Sequence, residues 1–206
     1  MARTVDLHRR TDLALRALAF VRSQGMRRIT MSELAAALGM GRPALYWYFK
    51  NLGEVFDAVL AVILERQRAF LLERMAVTDD PLGMVEAWLR GVCAFYAEDP
   101  QLLAVLIQFW AMGDPERPEK VLEATRDYAV QLQDAATLLL GEAIAAGLVA
   151  DCHVQTLVEL CAATLDGLLI QQSRQGTDPL PALDLFCRRV LDPLRLPAAA
   201  QAATRS

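Results

Sequence analysis

The chain has 206 residues, 54% of them hydrophobic, and a formal net charge of −4. That length fits one large domain, or a small and a larger one, with a sizeable core. No stretch of about 18 uncharged apolar residues occurs, and "MARTVDLHRR" has no apolar run behind it. The sequence therefore reads as neither membrane-spanning nor secreted, and a cytoplasmic protein with no membrane partner is expected.

Apolar residues recur at helical spacing almost throughout, so an all-α fold of about nine helices is expected. The first helix runs from about Leu7 to Gln24, with Leu13, Ala17, Leu18 and Val21 inward and Gly25 just past its end. "TMSE", Thr30 to Glu33, fits a capping box that starts a short second helix, whose inner face is Leu34, Ala35 and Leu38. Gly39 suits a sharp left-handed turn. The third helix spans about Arg42 to Phe49, with Pro43 tolerated in its first turn. This is helix–turn–helix spacing, with the small Ala35 allowing close approach and Leu45 and Phe49 plugging the hollow beneath.

A longer fourth helix runs from near Gly53 to about Met75. "TDDP" (78–81) starts a fifth that reaches about Ala97, and "EDP" (98–100) breaks the chain before a sixth, roughly 100–111. "GDPERPE" (113–119) is the clearest loop. The seventh helix is long, about 117–146, and stops at Gly147. The eighth spans about 154–174, ending near Gly176, and the ninth about 181–194. In "VQTLVELCAATLDGLLIQQ" apolar residues cover well over half the circumference. Such a helix lies in the middle of its own domain or also meets a second subunit.

Charge is unevenly spread. Residues 1–50 hold nine Lys and Arg against three acids, +6, and the other 156 hold twelve against twenty-two, −10. A basic head on an acidic body points to a polyanion partner. In the head, "GRPALYWYFKN" sets four aromatics side by side. A helix turns about 100° per residue, so Tyr46, Trp47, Tyr48 and Phe49 cannot all be core.

Across 30–50, "TMSELAAALGMGRPALYWYFK" resembles the tetracycline-repressor (TetR) family of bacterial transcription regulators. The Leu45-Tyr46-Trp47-Tyr48-Phe49-Lys50 run after an Ala-x-x-x-Gly turn carries the likeness, and Pro43 to Trp47 is similar to the tetracycline repressors themselves. The rest of the chain matches the family in helix count, length and order. The resemblance implies a homodimer that binds palindromic double-stranded operator DNA through its N-terminal domains and releases it when a small molecule enters the C-terminal domain. The expected division is a DNA-binding domain at 1–52 and an effector-binding and dimerisation domain at 53–206. Two departures stand out. Leu52 and Gly53 occupy the place of the family's frequent Lys-Glu, and Ala44 stands where the tetracycline type has Thr.

Site roles follow from side-chain chemistry. Arg42 at the start of the third helix has the planar fork that suits guanine O6 and N7, or a phosphate. Pro43 and Ala44 offer apolar surface to a thymine methyl. Tyr46, by the resemblance, binds phosphate. Trp47 can lie on the sugar-phosphate backbone, and Tyr48 can do the same or pack under the first helix. Lys50 neutralises a phosphate, and Thr30 with its helix start can meet another. For the effector, aromatics of the middle helices and the polar Gln108 within "QFWAM" suggest an apolar pocket with a polar anchor. Its candidate residues are Phe70, Trp88, Tyr96, Gln108, Phe109, Trp110, Tyr128 and Cys161, any of which can equally be core. They favour a hydrophobic, flat or aromatic ligand. Leu157, Leu165, Leu168 and Leu169 are the candidates for the dimer interface.

The four Cys (93, 152, 161, 187) form no C-x-x-C pair, and His153 beside Cys152 has no second ligand at metal spacing. No metal or cofactor is expected. With two His and no catalytic trio, phosphate loop or H-E-x-x-H, an enzyme is not expected. The rival is a thiol sensor of the same fold working through Cys93 or Cys161.

Overall fold

A computed structural model describes residues 6–24, 29–75, 78–111 and 119–196; the side chains of 24, 109–111 and 119–126 lie outside that description. Among the described residues there are nine α-helices and no strand: α1 (Leu7–Gln24), α2 (Met31–Ala37), α3 (Arg42–Tyr48), α4 (Leu52–Met75), α5 (Pro81–Glu98), α6 (Pro100–Ala111), α7 (Glu119–Ala145), α8 (Val154–Gln175) and α9 (Leu180–Phe186). The all-α expectation holds, with most boundaries within a residue or two. Gly25 and most of the loop expected at 113–119 fall outside the described residues.

One expectation needs correcting. The ninth helix is not a continuous α-helix over 181–194. It ends at Phe186, widens into a π-helical turn over Cys187–Leu191, and closes as a 3₁₀ turn over Asp192–Leu194. Pro193 has no N–H to donate and blocks an α-helical continuation. The wide turn still buries both Cys187 and Leu191.

By packing, the chain divides into two compact units: Met1–Arg66 with Gln101–Asp127, and Gln67–Pro100 with Tyr128–Ser206. Helix α4 lends its first part to one unit and its last part to the other.

The first unit holds the α1–α2–α3 head. Its core includes Leu13, Ala17, Leu18, Leu34, Ala35, Leu45 and Phe49, as the spacing indicated, together with Val55, Val59 and Ile63 of α4. In the second unit α5 packs against α8, α9 and the π-helical turn. Its Leu82, Leu89, Val92 and Tyr96 are buried. At Gly91, where α5 meets the end of α4, an added Cβ would stand 2.6 Å from Leu71 Cδ2, so the Leu71 side chain would have to swing aside. Arg195 ties the chain end to α5: it pairs with Asp80, with Glu86 at 3.4 Å and with Asp192 at 3.1 Å. The Ala150 N–H donates to the Leu194 carbonyl at 2.9 Å, beside the Val149–Arg195 bridge.

Candidate nucleic-acid interface and effector cavity

The α2–α3 hairpin is fixed by local chemistry. Thr30 Oγ1 accepts the Glu33 N–H at 3.2 Å, and Glu33 Oε2 accepts the Thr30 N–H at 2.8 Å. This completes the expected capping box. At the other end of α2, the Gly39 N–H reaches the Ala36 carbonyl and the Met40 N–H the Ala35 carbonyl, both at 3.0 Å. That is the Schellman pattern, and it requires the left-handed φ of +66° at Gly39. The Arg16 guanidinium donates to the Leu38 carbonyl at the same helix end.

Helix α3 is anchored by Leu45 and Phe49, both essentially inaccessible. From α1, Arg10 lies over the Phe49 ring at 5.1 Å and donates to the Tyr48 carbonyl at 3.4 Å. These contacts hold α3 from below and leave its other side free to carry ligand-facing groups. Arg42, Pro43 and Ala44 are exposed, and Tyr46 and Trp47 remain 43% and 44% exposed. Tyr48 is half-buried, between the two roles open to it. The four adjacent aromatics thus divide: Phe49 is core, Tyr48 flanks, and Tyr46 and Trp47 form an outer ridge with Arg42. Among the described residues Arg42 makes no ion pair or hydrogen bond.

Two of the expected phosphate ligands already have partners. The Lys50 ammonium lies 3.7 Å from Glu54, whose carboxylate also accepts the Lys50 N–H at 2.9 Å. Asn51 Oδ1 caps α4 by accepting the Glu54 N–H at 2.9 Å. Sequence reading missed Asn51 and Glu54; the Asn-x-x-Glu spacing carried the signal. The Thr30 hydroxyl is likewise engaged by Glu33, at 2.8 Å. Hydrogen bonds from Thr30 hold the Glu33 carboxyl below its usual range. A phosphate arriving there meets a carboxylate.

The second unit contains a cavity of about 130 Å³. Its walls come from Met75 at the end of α4, Met84, Val85 and Trp88 of α5, Leu132, Gln133, Ala135, Ala136, Leu139 and Leu140 of α7, and Val158, Cys161 and Ala162 of α8. Of the expected effector residues, Trp88 and Cys161 line it. Phe70 and Tyr96 instead join Phe95 in an edge-to-face cluster, with centroids 5.4 and 5.0 Å apart. Arg74 stacks on Phe70 at 3.3 Å. Burial, and Tyr128 beside it, push the Tyr96 phenol upward. Gln108 is exposed and belongs to the other unit. The side chains of Phe109 and Trp110 lie outside the described residues. Sequence reading missed Met75, Met84, Leu132, Gln133 and Leu139. The periodic sets 84/85/88, 132/136/139 and 158/161/162 mark inward faces, but nothing local says that those faces leave a space.

Burial pushes Cys93 and Cys161 up to about 11, so neither carries much thiolate at neutral pH.

Helix α8 turns Leu157, Leu165 and Leu169 inward, where the subunit itself buries them, and leaves Leu168 half-buried. Its outward face is a different stripe: Thr156, Leu160, Ala163, Gly167, Ile170 and Arg174 recur at spacings of three and four. Leu160 and Ile170 are exposed, and Gly167 has open space beside it. Among the described residues α8 is the one helix long and apolar enough to cross a membrane by length and composition alone.

Comparison with known proteins fits this geometry. Residues 16–59 match the family described as "Bacterial regulatory proteins, tetR family". Over 167 residues the chain is 29% identical to the HTH-type transcriptional regulator BetI of Rhizobium meliloti (strain 1021), covering 80% of this chain and 78% of that one. Among solved structures, a TetR transcription regulator from Haloarcula marismortui superposes with a TM-score of 0.78 at 17% identity, covering 92% of this chain and all of that one. A regulator from Pseudomonas aeruginosa PAO1 gives 0.72 at 19% identity, over 98% and 95% of the two chains. The match over α1 to α4 falls on the helix–turn–helix just described: residues 16–59 carry a DNA-binding helix–turn–helix of the TetR-family type, and the chain resembles TetR-family transcriptional regulators in sequence and fold.

Proposed function

We propose that the protein is a cytoplasmic repressor that binds a palindromic operator as a homodimer and leaves it when a small, largely hydrophobic effector fills the body. The observation that carries the DNA half is the outer ridge of α3: an unpaired Arg42 beside exposed Tyr46 and Trp47, on a helix fixed from below. Arg42 reads a base, Pro43 and Ala44 touch apolar base edges, and Tyr46, Trp47 and Tyr48 rest on the backbone. Lys50 and Thr30 contribute less, because Glu54 and Glu33 compete with phosphate for them.

The dimer forms through α8 and α9. The outward stripe of α8 leaves Leu160 and Ile170 unburied in one subunit, and a second copy packed about a two-fold axis covers them. A lipid environment suits this helix less well, since Glu159, Asp166 and Arg174 are exposed on it. The inward leucines 157, 165 and 169 set the helix in its own subunit, and Leu168 sits at the seam.

The effector half rests on the cavity lined by Trp88 and Cys161. Met75 closes the last turn of α4, and α4 starts three residues after Phe49. A ligand that shifts Met75 moves α4 and, through it, the recognition helices. A hundredfold tighter binding to the released form supplies about 2.7 kcal/mol per site against DNA binding.

The test is a shift assay with the DNA flanking the gene, read alongside light scattering. Wild type should bind as a dimer, with affinity falling steeply as salt rises. Arg42→Ala should lose about 1–3 kcal/mol and relax base preference. Leu160→Glu should give monomers that no longer bind. A wild-type monomer at micromolar concentration, or an Arg42→Ala variant with unchanged preference, overturns the corresponding half of the proposal.

A further inference from the structure

We infer that Arg10 and Arg16 of α1 are positioning residues for base recognition: they grip the C-terminal ends of α3 and α2 and fix the angle at which α3 presents Arg42. The inference rests on the DNA-binding reading above and adds to it two basic residues whose work is done inside the head.

Helices α2 and α3 have seven residues each. Helices that short are not stable alone, so their orientation is set by what they pack against. Leu45 and Phe49 seat α3 on the core, but apolar packing is non-directional and leaves small rotations open. Hydrogen bonds to carbonyls are directional. The last carbonyls of a helix have no donor within it, and α1 supplies one to each helix of the hairpin. The Arg16 guanidinium donates to the carbonyl of Leu38, the C-cap of α2. Arg10 Nε donates to the carbonyl of Tyr48, the last residue of α3, at 3.4 Å. The Arg10 guanidinium also lies over the Phe49 ring, 5.1 Å from its centroid. Residues 10 and 16 stand about 9 Å apart along α1, so the hairpin is held at two separated points. Arg42 is at the far end of α3 from Tyr48, and a small tilt at the held end is carried to it. A hydrogen bond to a base edge works over about 2.7–3.2 Å, so that tilt decides whether Arg42 reaches its base. Both arginines count towards the basic head, yet their donors point inward. Arg10 is half-buried, and Arg16 has Asp12 at 4.0 Å. They act on which sequence is bound and not on how strongly the head is drawn to phosphate.

The probes are a duplex selected by the wild type from a random pool and a scrambled duplex of the same length. Affinity of the full chain for each is measured against salt concentration, at a temperature where unfolding curves show every variant folded. Arg10→Met keeps the stem and drops the guanidinium. It should weaken the selected duplex about tenfold and the scrambled one less than about twofold, with the salt slope unchanged. Arg10→Lys keeps the charge but not the planar fork, and should behave like Arg10→Met. Arg16→Met should act in the same direction, and it carries the test if the Arg10 variants do not fold. In an Arg42→Ala background, Arg10→Met should change the ratio of the two affinities little further, because the group it aims is gone. The inference is overturned if Arg10→Met weakens both duplexes alike with a shallower salt slope, which marks a phosphate ligand. It is equally overturned if Arg10→Lys restores the selected duplex, if the ratio stays at the wild-type value, or if the effect adds in full to that of Arg42→Ala. A wild type that enriches no sequence removes base recognition itself, and this inference with it.

Discussion

In the α2–α3 hairpin, the contacts that set its shape lie close in sequence. Thr30 and Glu33 cap one end of α2, Ala35, Ala36, Gly39 and Met40 close the other, and Leu45 and Phe49 seat α3. The cavity of the second unit is the opposite case. Its walls are gathered from Met75, from 84–88, from 132–140 and from 158–162, on four different helices. The hairpin leaves little room for adjustment, as a surface that must match a fixed DNA groove requires. The cavity is bounded by adaptable methionines and by helix ends, and keeps space that a tightly packed core would have closed. One region presents a shape and the other accepts one.

Removing mass from the hairpin should therefore do more harm than adding mass to the cavity. The largest expected effect is that of Leu45→Ala. Leu45 is wholly inaccessible, and truncating such a leucine costs about 2–5 kcal/mol. Denaturant unfolding should show that loss, and DNA binding should disappear with it. Gly39→Ala should come next. Its φ of +66° is left-handed and a Cβ would meet nothing within 4 Å, so the penalty is conformational alone. About 1–2 kcal/mol is expected. A Gly39→Ala variant as stable as wild type would mean that the turn relaxes at no cost, and the contrast with the cavity would weaken. In the second unit the sign reverses. Ala162→Leu fills space, and its unfolding midpoint should rise by the equivalent of about 1 kcal/mol. A fall would show that the cavity wall is as unforgiving as the hairpin.

The same difference in locality decided what could be read from the sequence. The capping box, the turn at Gly39, Leu45 and Phe49 as plugs, and the exposed Arg42 ridge all follow from residues at most a few positions apart. The engagement of Lys50 by Glu54 is also local, an i, i+4 pair at the start of α4. The cavity could not be read, because each wall looks like ordinary helix interior until the four segments are brought together. Trp88 and Cys161, chosen for their chemistry, do line the cavity. Phe70 and Tyr96, chosen on the same ground, turned out to stack with Phe95 instead. The outward stripe of α8 was hidden for a related reason. A helix apolar on most of its circumference does not say which side faces inward, and the bulkiest leucines went to the subunit's own core.

The smallest expected effect concerns Thr30, and it carries a signature in pH. Replacing an N-cap threonine with alanine costs about 1 kcal/mol, less than the changes at Leu45 or Gly39. Here the cap is reciprocal. Thr30 donates to the Glu33 carboxylate through both its hydroxyl and its amide, and these bonds lower the pKa of Glu33 from the ordinary value of 4.5. A carboxyl whose folded pKa is depressed stabilises the fold above its unfolded value, and the contribution fades as pH falls through the lower folded one. Between neutral pH and about 4.5, the cost of Thr30→Ala should therefore be constant. Below that it should shrink, because protonation of Glu33 removes part of the box from the wild type as well. Unfolding of wild type and Thr30→Ala across this range checks it, with Glu33→Gln as the variant lacking the charge. A cost that stays level down to the most acid condition at which the protein folds would show that the hydroxyl cap alone holds this end of α2, and that the return bonds to Glu33 add nothing.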